Sequence, residues 1–426
     1  MMARCGPHRP NSSENVVDAR MLAHAALLGI RWSAVSKGSK STSGYLPQLD
    51  GLRGIAILGV LLFHLSSKLP ALHMGYVAGN GWAGVDLFFV ISGFLITTIL
   101  LESAGSEHYF RNFYVRRILR IWPLYFALLI FVFVLLPWIV PALRERIFAQ
   151  CHPWQSYFLF VQNFFVHEFG IGPVGVTWSL AIEEQFYLVW PVVILFLPRK
   201  LLPLLLVGLA VFSPVARVVA QAHGASIATI YTHTIFRLDS ISAGALLAVW
   251  AKAARFGSAR TVRVLGLLTA VGVVACVITF WFLSDRPASA SLRFSSLAIL
   301  FFAVVGSALL TGPGTLLFRC LTASWLRYTG KICFGLYLLH VTVFDILSPE
   351  RLAFLGNGWV GSLGVLIVDF VAVFLLASCS WHFLELPMLR LKRRFEYGRS
   401  PAWHRASREA DKARFSDQKA VAASPS

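Results

Sequence analysis

Charge is scarce in this sequence. Of 426 residues, only 14% are Asp, Glu, Lys or Arg, against about a quarter in ordinary soluble domains. That shortage argues against a water-soluble globule, whose surface needs more ionic groups. A disordered chain is excluded from the other side, because 57% of the residues are hydrophobic and disorder requires the reverse balance. Cysteine is also sparse and scattered. The six thiols (Cys5, Cys151, Cys276, Cys320, Cys333 and Cys379) form no CxxC pair and no Cys/His ligand spacing, so neither a disulfide framework nor a metal site is expected. Acidic residues are scarcer still, 20 against 38 basic ones, for a net charge of +18. No repeat of 20–50 residues and no inverted symmetry of the transporter kind is visible.

What the chain does have is long apolar runs. Stretches such as Trp82–Leu101 and Ile121–Leu136 are of the length that crosses a bilayer as a helix. The pattern predicts an all-α, polytopic transmembrane bundle of about ten helices, centred on Gly59, Ile91, Leu129, Val189, Leu209, Ala243, Val273, Phe302, Leu339 and Val371. The aromatic stretch Trp154–Val166 is broken by Gln155, Ser156, Gln162 and Asn163 and reads as interfacial or re-entrant. Basic residues sit in the connections between runs, and clusters such as Arg111, Arg116, Arg117 and Arg120, or Lys252, Arg255, Arg260 and Arg263, fall in connections on one and the same side. The positive-inside rule then puts both termini in the cytoplasm of a multi-pass plasma-membrane protein. Nucleic acid is not the expected partner of this charge; the lipid bilayer is, since no zinc finger or helix-turn-helix accompanies it. Residues 1–45 and 392–426 read as polar, disordered tails around a membrane domain at 46–391. No signal peptide is expected in the first of them, and the last is too poor in aliphatic residues for a second core.

Polar groups inside a bilayer are expensive and need a reason. Arg53 and His64 lie eleven residues apart in one apolar run. Eleven steps of 100° come within about 20° of three full turns, so both side chains share a helix face, about 16 Å apart along the axis. A guanidinium at the membrane surface suits a phosphate-bearing end of a long substrate. An imidazole deeper in suits proton transfer at its reactive end. The plainer reading is a positive-inside anchor and a packing histidine bonded to a backbone carbonyl. Asp86 either orients and balances His64 or faces water at a helix start. Ser92 and Gly93 allow close helix approach. In Thr177-Trp178-Ser179-Leu180-Ala181-Ile182-Glu183-Glu184-Gln185-Phe186-Tyr187, Thr177 or Ser179 can cap a helix with Glu183 completing the cap. The remaining polar groups exceed what capping requires, and Glu183 and Tyr187 share a face, which points to catalysis or acceptor binding. Arg117 and Arg120, one turn apart, either anchor the inner surface or join Arg53 in holding an anion. Arg237, Asp239, His340 and Glu385 are isolated polar groups that read as structural.

Five motifs occur in order: Arg53-x10-His64, Phe88-Phe89-x-x-Ser92-Gly93, Arg117-x-x-Arg120, Ser179-Leu180-x-x-Glu183 with Tyr187 four later, and Glu385-x-Pro387. In this the chain resembles the acyltransferase-3 family of integral membrane acyltransferases, from about Tyr45 to Leu391. The resemblance implies transfer of an acyl group, commonly acetyl, from acyl-CoA on the cytoplasmic side to a hydroxyl of a carbohydrate or similar acceptor. Arg53, Arg117 and Arg120 would then hold the donor's phosphates. His64, with Glu183, Tyr187 and Asp86, would carry the chemistry, His64 acting as general base or as an acylated relay. A backbone amide, Ser92 or Tyr187 would serve as oxyanion donor. Some relatives add an extracytoplasmic hydrolase-like domain; the short polar tail here implies that the membrane domain acylates the acceptor itself. The competing expectation is a transporter or flippase of a lipid-linked sugar or acyl donor, with the same polar groups lining a path.

Overall fold

The computed structural model describes residues 45–395 except 150, 167–171, 173, 254, 255, 284–286 and 357. Helices account for every regular element among them, and none is a strand. The principal helices are α1 (Pro47–Lys68), α2 (Gly84–Ser103), α3 (Tyr109–Ile130), α4 (Thr177–Phe196), α5 (Leu202–Ala222), α6 (Leu238–Ala251), α7 (Ala259–Val277), α8 (Pro287–Leu310), α9 (Ser324–Lys331), α10 (Cys333–Ile346) and α11 (Gly358–Ser380). Each of the ten centres expected from the sequence falls inside one of them. Among the described residues, eight helices are long and apolar enough to cross a membrane, and α9 with α10, bent by 70°, makes a ninth if counted as one span. The tenth, α6, is too short: its 14 residues rise about 21 Å, less than the roughly 30 Å hydrocarbon thickness. The chain is a multi-pass membrane protein.

Local chemistry explains the ends. Pro47 opens α1 where its missing N–H costs nothing, and Asp50 sits in the first turn at the positive end of the helix dipole. Three of the long helices pass through five-residue π turns, at Phe131–Leu135, Ile278–Phe282 and Trp381–Glu385. The last of these carries Glu385. Pro123, Pro191 and Pro214 lie within α3, α4 and α5, which a helix embedded among neighbours tolerates.

Three large apolar clusters hold the bundle, and a fourth, smaller one gathers Ile230, Phe236 and Phe294. One joins α3 to α4 through Tyr125, Leu128, Leu180 and Trp190. A second joins α1, α10 and α11 through Ile57, Leu61, Leu336 and Val373. The third joins α1, α2, α6 and α8 through Leu52, Val90, Leu247 and Val305. Large apolar side chains on the outward faces, among them Leu188, Phe196, Leu204, Leu267 and Leu375, remain exposed, as a lipid-facing surface requires. α9 crosses the start of α1 so closely that a Cβ on Gly330 would stand 1.8 Å from the Asp50 carbonyl oxygen.

The stretch expected to be interfacial contains a short helix, Trp154–Phe158, and a 3-10 turn, Gln162–Phe164. Gln185 ties it to α4, donating to the Phe160 carbonyl at 2.7 Å and to Asn163 Oδ1 at 3.0 Å. Residues 1–44 and 396–426 of the expected tails lie outside the described residues. The first four residues of the second tail, Lys392–Phe395, form a helical turn against α3. There Arg116 donates to the Phe395 carbonyl at 3.1 Å, and Arg111 lies over the Phe395 ring.

Candidate active site

α1 carries Arg53 and His64 to two different cavities. The first, about 260 Å³, lies among α1, α2, α3, α4 and α10. Arg53, Arg117 and Arg120 give it a cationic rim, which the Lys392 amine adjoins. Arg53 is held by Asp50 at 3.1 Å, and Asp50 in turn accepts from the Tyr45 hydroxyl at 2.5 Å. Arg117 lies over the Tyr187 ring at 5.7 Å, and its Nε has no partner among the described residues. Lys392 sits just beyond the last span. Burial, followed by the charges of Arg117, Arg120, Arg116 and Arg53, pushes its ammonium down to about 6.

Deeper in the same cavity the walls combine apolar side chains, such as Phe88, Ile96, Leu180 and Phe334, with hydroxyls and one carboxylate. Ser92 and Tyr187 share a 2.6 Å hydrogen bond, and the Glu183 carboxylate interacts with both hydroxyls. Ser179 caps nothing. Its hydroxyl donates to the Val176 carbonyl at 3.1 Å and meets the Tyr337 hydroxyl at 2.6 Å. α4 begins without a side-chain cap, so the capping expected of Thr177, Ser179 and Glu183 is absent. Gly93 marks a helix crossing: a Cβ there would stand 2.1 Å from the Ile241 carbonyl of α6, and one on Gly244 would stand 1.9 Å from the Val90 carbonyl of α2. Glu385 is buried at the π turn of α11 and accepts from Ser380 at 3.2 Å.

The second cavity, about 310 Å³, holds His64. Aromatic faces from Phe63, Trp82, Trp178, Tyr231 and Phe294 surround it, with Arg293 as its cation. Val85 and Tyr337 line both cavities, so the two spaces share one wall. His64 Nδ1 lies 3.0 Å from the Val60 carbonyl and 3.2 Å from His340 Nε2.

Asp86 is placed differently from either expectation. Instead of facing His64 or water, it is fully buried against Arg237, whose Nη2 donates at 2.7 Å, and Ser240, whose hydroxyl donates at 2.9 Å. Nothing in the local sequence signals this, because the cation lies 151 residues away. A second buried pair, Arg217 with Asp239 at 2.7 Å, adjoins the first through Ser240, whose amide donates to Asp239. Arg237 and Asp239 are thus paired rather than isolated. Lys392, Tyr337 and His340 join the site without having been expected there. Tyr337 and His340 sit one turn apart within the otherwise apolar stretch Cys333–Val341, a signal of the same kind as that of His64.

The fold is a bundle of helices of membrane-crossing length that holds a pocket rimmed by basic side chains and, across a shared wall, a pocket with a histidine. The chain belongs to the acyltransferase domain family, which it matches over residues 46–381. Among curated proteins it is 28% identical over 362 residues to the peptidoglycan O-acetyltransferase OatA of Listeria monocytogenes, covering 81% of this chain and 56% of that protein. It is 30% identical over 370 residues to the putative peptidoglycan O-acetyltransferase YrhL of Bacillus subtilis, covering 81% and 55%. The O-acetyltransferase OatA of Staphylococcus aureus is 29% identical over 366 residues, covering 81% and 57%. The chain therefore spans about half the length of the curated relatives it matches. No solved structure matches it.

Proposed function

We propose that the chain is a membrane O-acyltransferase that takes an acyl group, in the simplest case acetyl, from acyl-CoA at the cytoplasmic face of the plasma membrane and delivers it to a carbohydrate hydroxyl. The observation that carries this reading is the pair of cavities with a common wall at Val85 and Tyr337. CoA is a chain of anionic phosphates joined to a long, thin arm ending in a thioester. Arg53, Arg117, Arg120 and Lys392 supply cations for the phosphates, and guanidinium matches phosphate in a two-pronged way. The arm then lies along Phe88, Ile96, Leu180 and Phe334 and brings the thioester to the wall. Basic residues belong on the cytoplasmic side, which sets the direction of supply.

The acceptor enters the His64 cavity, where Trp82, Trp178, Tyr231 and Phe294 offer flat apolar faces to a sugar ring. His64 takes the proton from the acceptor hydroxyl as that oxygen attacks the thioester carbon. The C–S bond then breaks, and CoA leaves as a thiolate that is reprotonated. A transient acyl group on His64 would use the same path. The Ser92, Ser179 and Tyr187 hydroxyls are the donors available to the developing oxyanion, and Glu183 orients Ser92 and Tyr187. The glycan class of the acceptor is supported by the names of the three relatives. Asp86, Gly93 and Glu385 serve the scaffold in this scheme.

The test uses the full chain in lipid nanodiscs with radiolabelled acetyl-CoA and soluble glycan fragments. His64→Ala is expected to abolish label transfer while CoA binding persists, and retained turnover would remove His64 from the reaction. Passage of CoA or glycan across sealed vesicles without any acylated product would replace the enzyme with a transporter.

A further inference from the structure

α10 brings a second imidazole to His64 from 276 residues away. His340 is fully buried, with the Phe344 ring edge-on at 5.7 Å. Its Nδ1 lies 2.8 Å from the Tyr337 carbonyl oxygen and 3.1 Å from that of Leu336. Carbonyl oxygens only accept, so this nitrogen carries the hydrogen, and in a neutral ring Nε2 is then a lone-pair acceptor. That Nε2 faces His64 Nδ1 at 3.2 Å. On its other side, His64 Nδ1 meets the Val60 carbonyl at 3.0 Å. Two acceptors converge on one nitrogen, which therefore bears hydrogen, and the lone pair of neutral His64 is left on Nε2. A protonated His340 would drive an N–H toward His64 Nδ1 and set the Val60 carbonyl against a lone pair. Among the described residues no carboxylate is ion-paired with His340.

We infer that His340 is a positioning residue, which locks His64 in the Nδ1–H tautomer and thereby makes Nε2 the basic nitrogen of the site. The inference rests on the reading of His64 as the proton acceptor and names what readies it. Which ring nitrogen of a histidine reacts is set by the bond the other nitrogen makes. Once His64 has accepted a proton at Nε2, its Nδ1–H becomes a charge-assisted donor, and the bond to His340 shortens and strengthens. The helix carbonyl alone would fix the ring only from its own backbone. His340 adds a second, cross-helix hold, and so ties the orientation of the base to the docking of α10 on α1. Tyr337, on the same turn, forms the wall between the cavities.

The experiment is nitrogen NMR on the 15N-histidine-labelled full chain in nanodiscs, His64 being assigned by its loss in His64→Ala. Wild-type His64 is expected to show a protonated Nδ1 and an unprotonated Nε2. The opposite pattern would overturn the proposal. His340→Phe keeps a ring and removes the cross-helix acceptor; with only the Val60 carbonyl left on Nδ1, the Nδ1–H tautomer is expected to lose part of its excess and kcat to fall about tenfold, a fraction of what a positioned base supplies, with an unchanged KM for acetyl-CoA. His340→Gln restores an acceptor oxygen and is expected to recover part of both signals. If His340→Phe folds with wild-type tautomer and wild-type kcat, His340 does not position the base. If His64→Ala stays active, the reading of His64 fails, and the NMR pattern still decides the tautomer on its own.

Discussion

Removing the Asp86 carboxylate tests whether this residue stabilises the fold or takes part in the reaction. In Asp86→Ala, the Arg237 guanidinium loses its only ionic partner among the described residues, at a site where both side chains are wholly buried. Breaking a buried pair by deleting one member typically costs about 3–5 kcal/mol, because the other charge is stranded. Arg237 keeps some compensation, since its guanidinium sits 4.0 Å from the centre of the Phe294 ring and 5.2 Å from that of Tyr231. A desolvated cation–π contact is worth about 2 kcal/mol, and it is already present in the wild type, so it limits the damage without replacing the carboxylate. We expect the lower end, about 3 kcal/mol, or roughly two orders of magnitude in the folded-to-unfolded ratio. Asp86→Ala combined with Arg237→Leu removes the stranded charge and should recover most of that loss. The assay is thermal unfolding in detergent, followed by intrinsic fluorescence, on the wild type, both single variants and the double variant. An Asp86→Ala protein as stable as wild type yet inactive would refute the reasoning and return Asp86 to the chemistry.

Three further outcomes follow from the same geometry. Lys392, with its ammonium pushed down to about 6 by burial and by the neighbouring guanidiniums, is neutral in the empty site at pH 7, and a bound phosphate raises it again. Binding therefore takes up a proton above pH 6, and CoA affinity should fall by up to about tenfold per pH unit there and level off below. The ratio of wild-type to Lys392→Met affinity isolates this slope from ionisation of the ligand's own phosphates, and a flat ratio from pH 6 to 8 would contradict it. Gly93→Val puts a branched side chain where even a Cβ would stand 2.1 Å from the Ile241 carbonyl. It should lower the yield of monodisperse protein in size-exclusion chromatography, and a wild-type yield would show that α2 and α6 can separate without cost. Arg117→Ala deletes one charged contact of the kind worth about 1.5–3 kcal/mol. CoA binding measured by calorimetry should weaken about 10- to 100-fold, and unchanged binding would take Arg117 out of the donor pocket.

Much of the fold was legible because a bilayer enforces it: an apolar run of helical length has few other ways to satisfy its backbone. The Arg53–His64 spacing was also legible, since it depends only on the pitch of one helix. What the sequence hid were pairings between distant segments. Asp86 looked available to His64 until Arg237, far along the chain, claimed it. His340 looked structural until α10 was packed on α1. The 70° bend at Ile332 has no proline to announce it. Lys392 fell in a stretch whose composition resembles a free tail, and its place at the pocket rim depends on the following turn docking against Arg111 and Arg116.

The thin partition made by Val85 and Tyr337 bears on the cell as well as on catalysis. A protein that opened one continuous wet passage across a bilayer would short-circuit the ion gradients on which the membrane depends. On the proposed reading, a hydrocarbon side chain and a phenol ring stand between the two cavities, an obstacle to hydrated ions across which only the acyl group has to reach. Exchange of a small group can thus proceed with the electrical insulation of the membrane left intact.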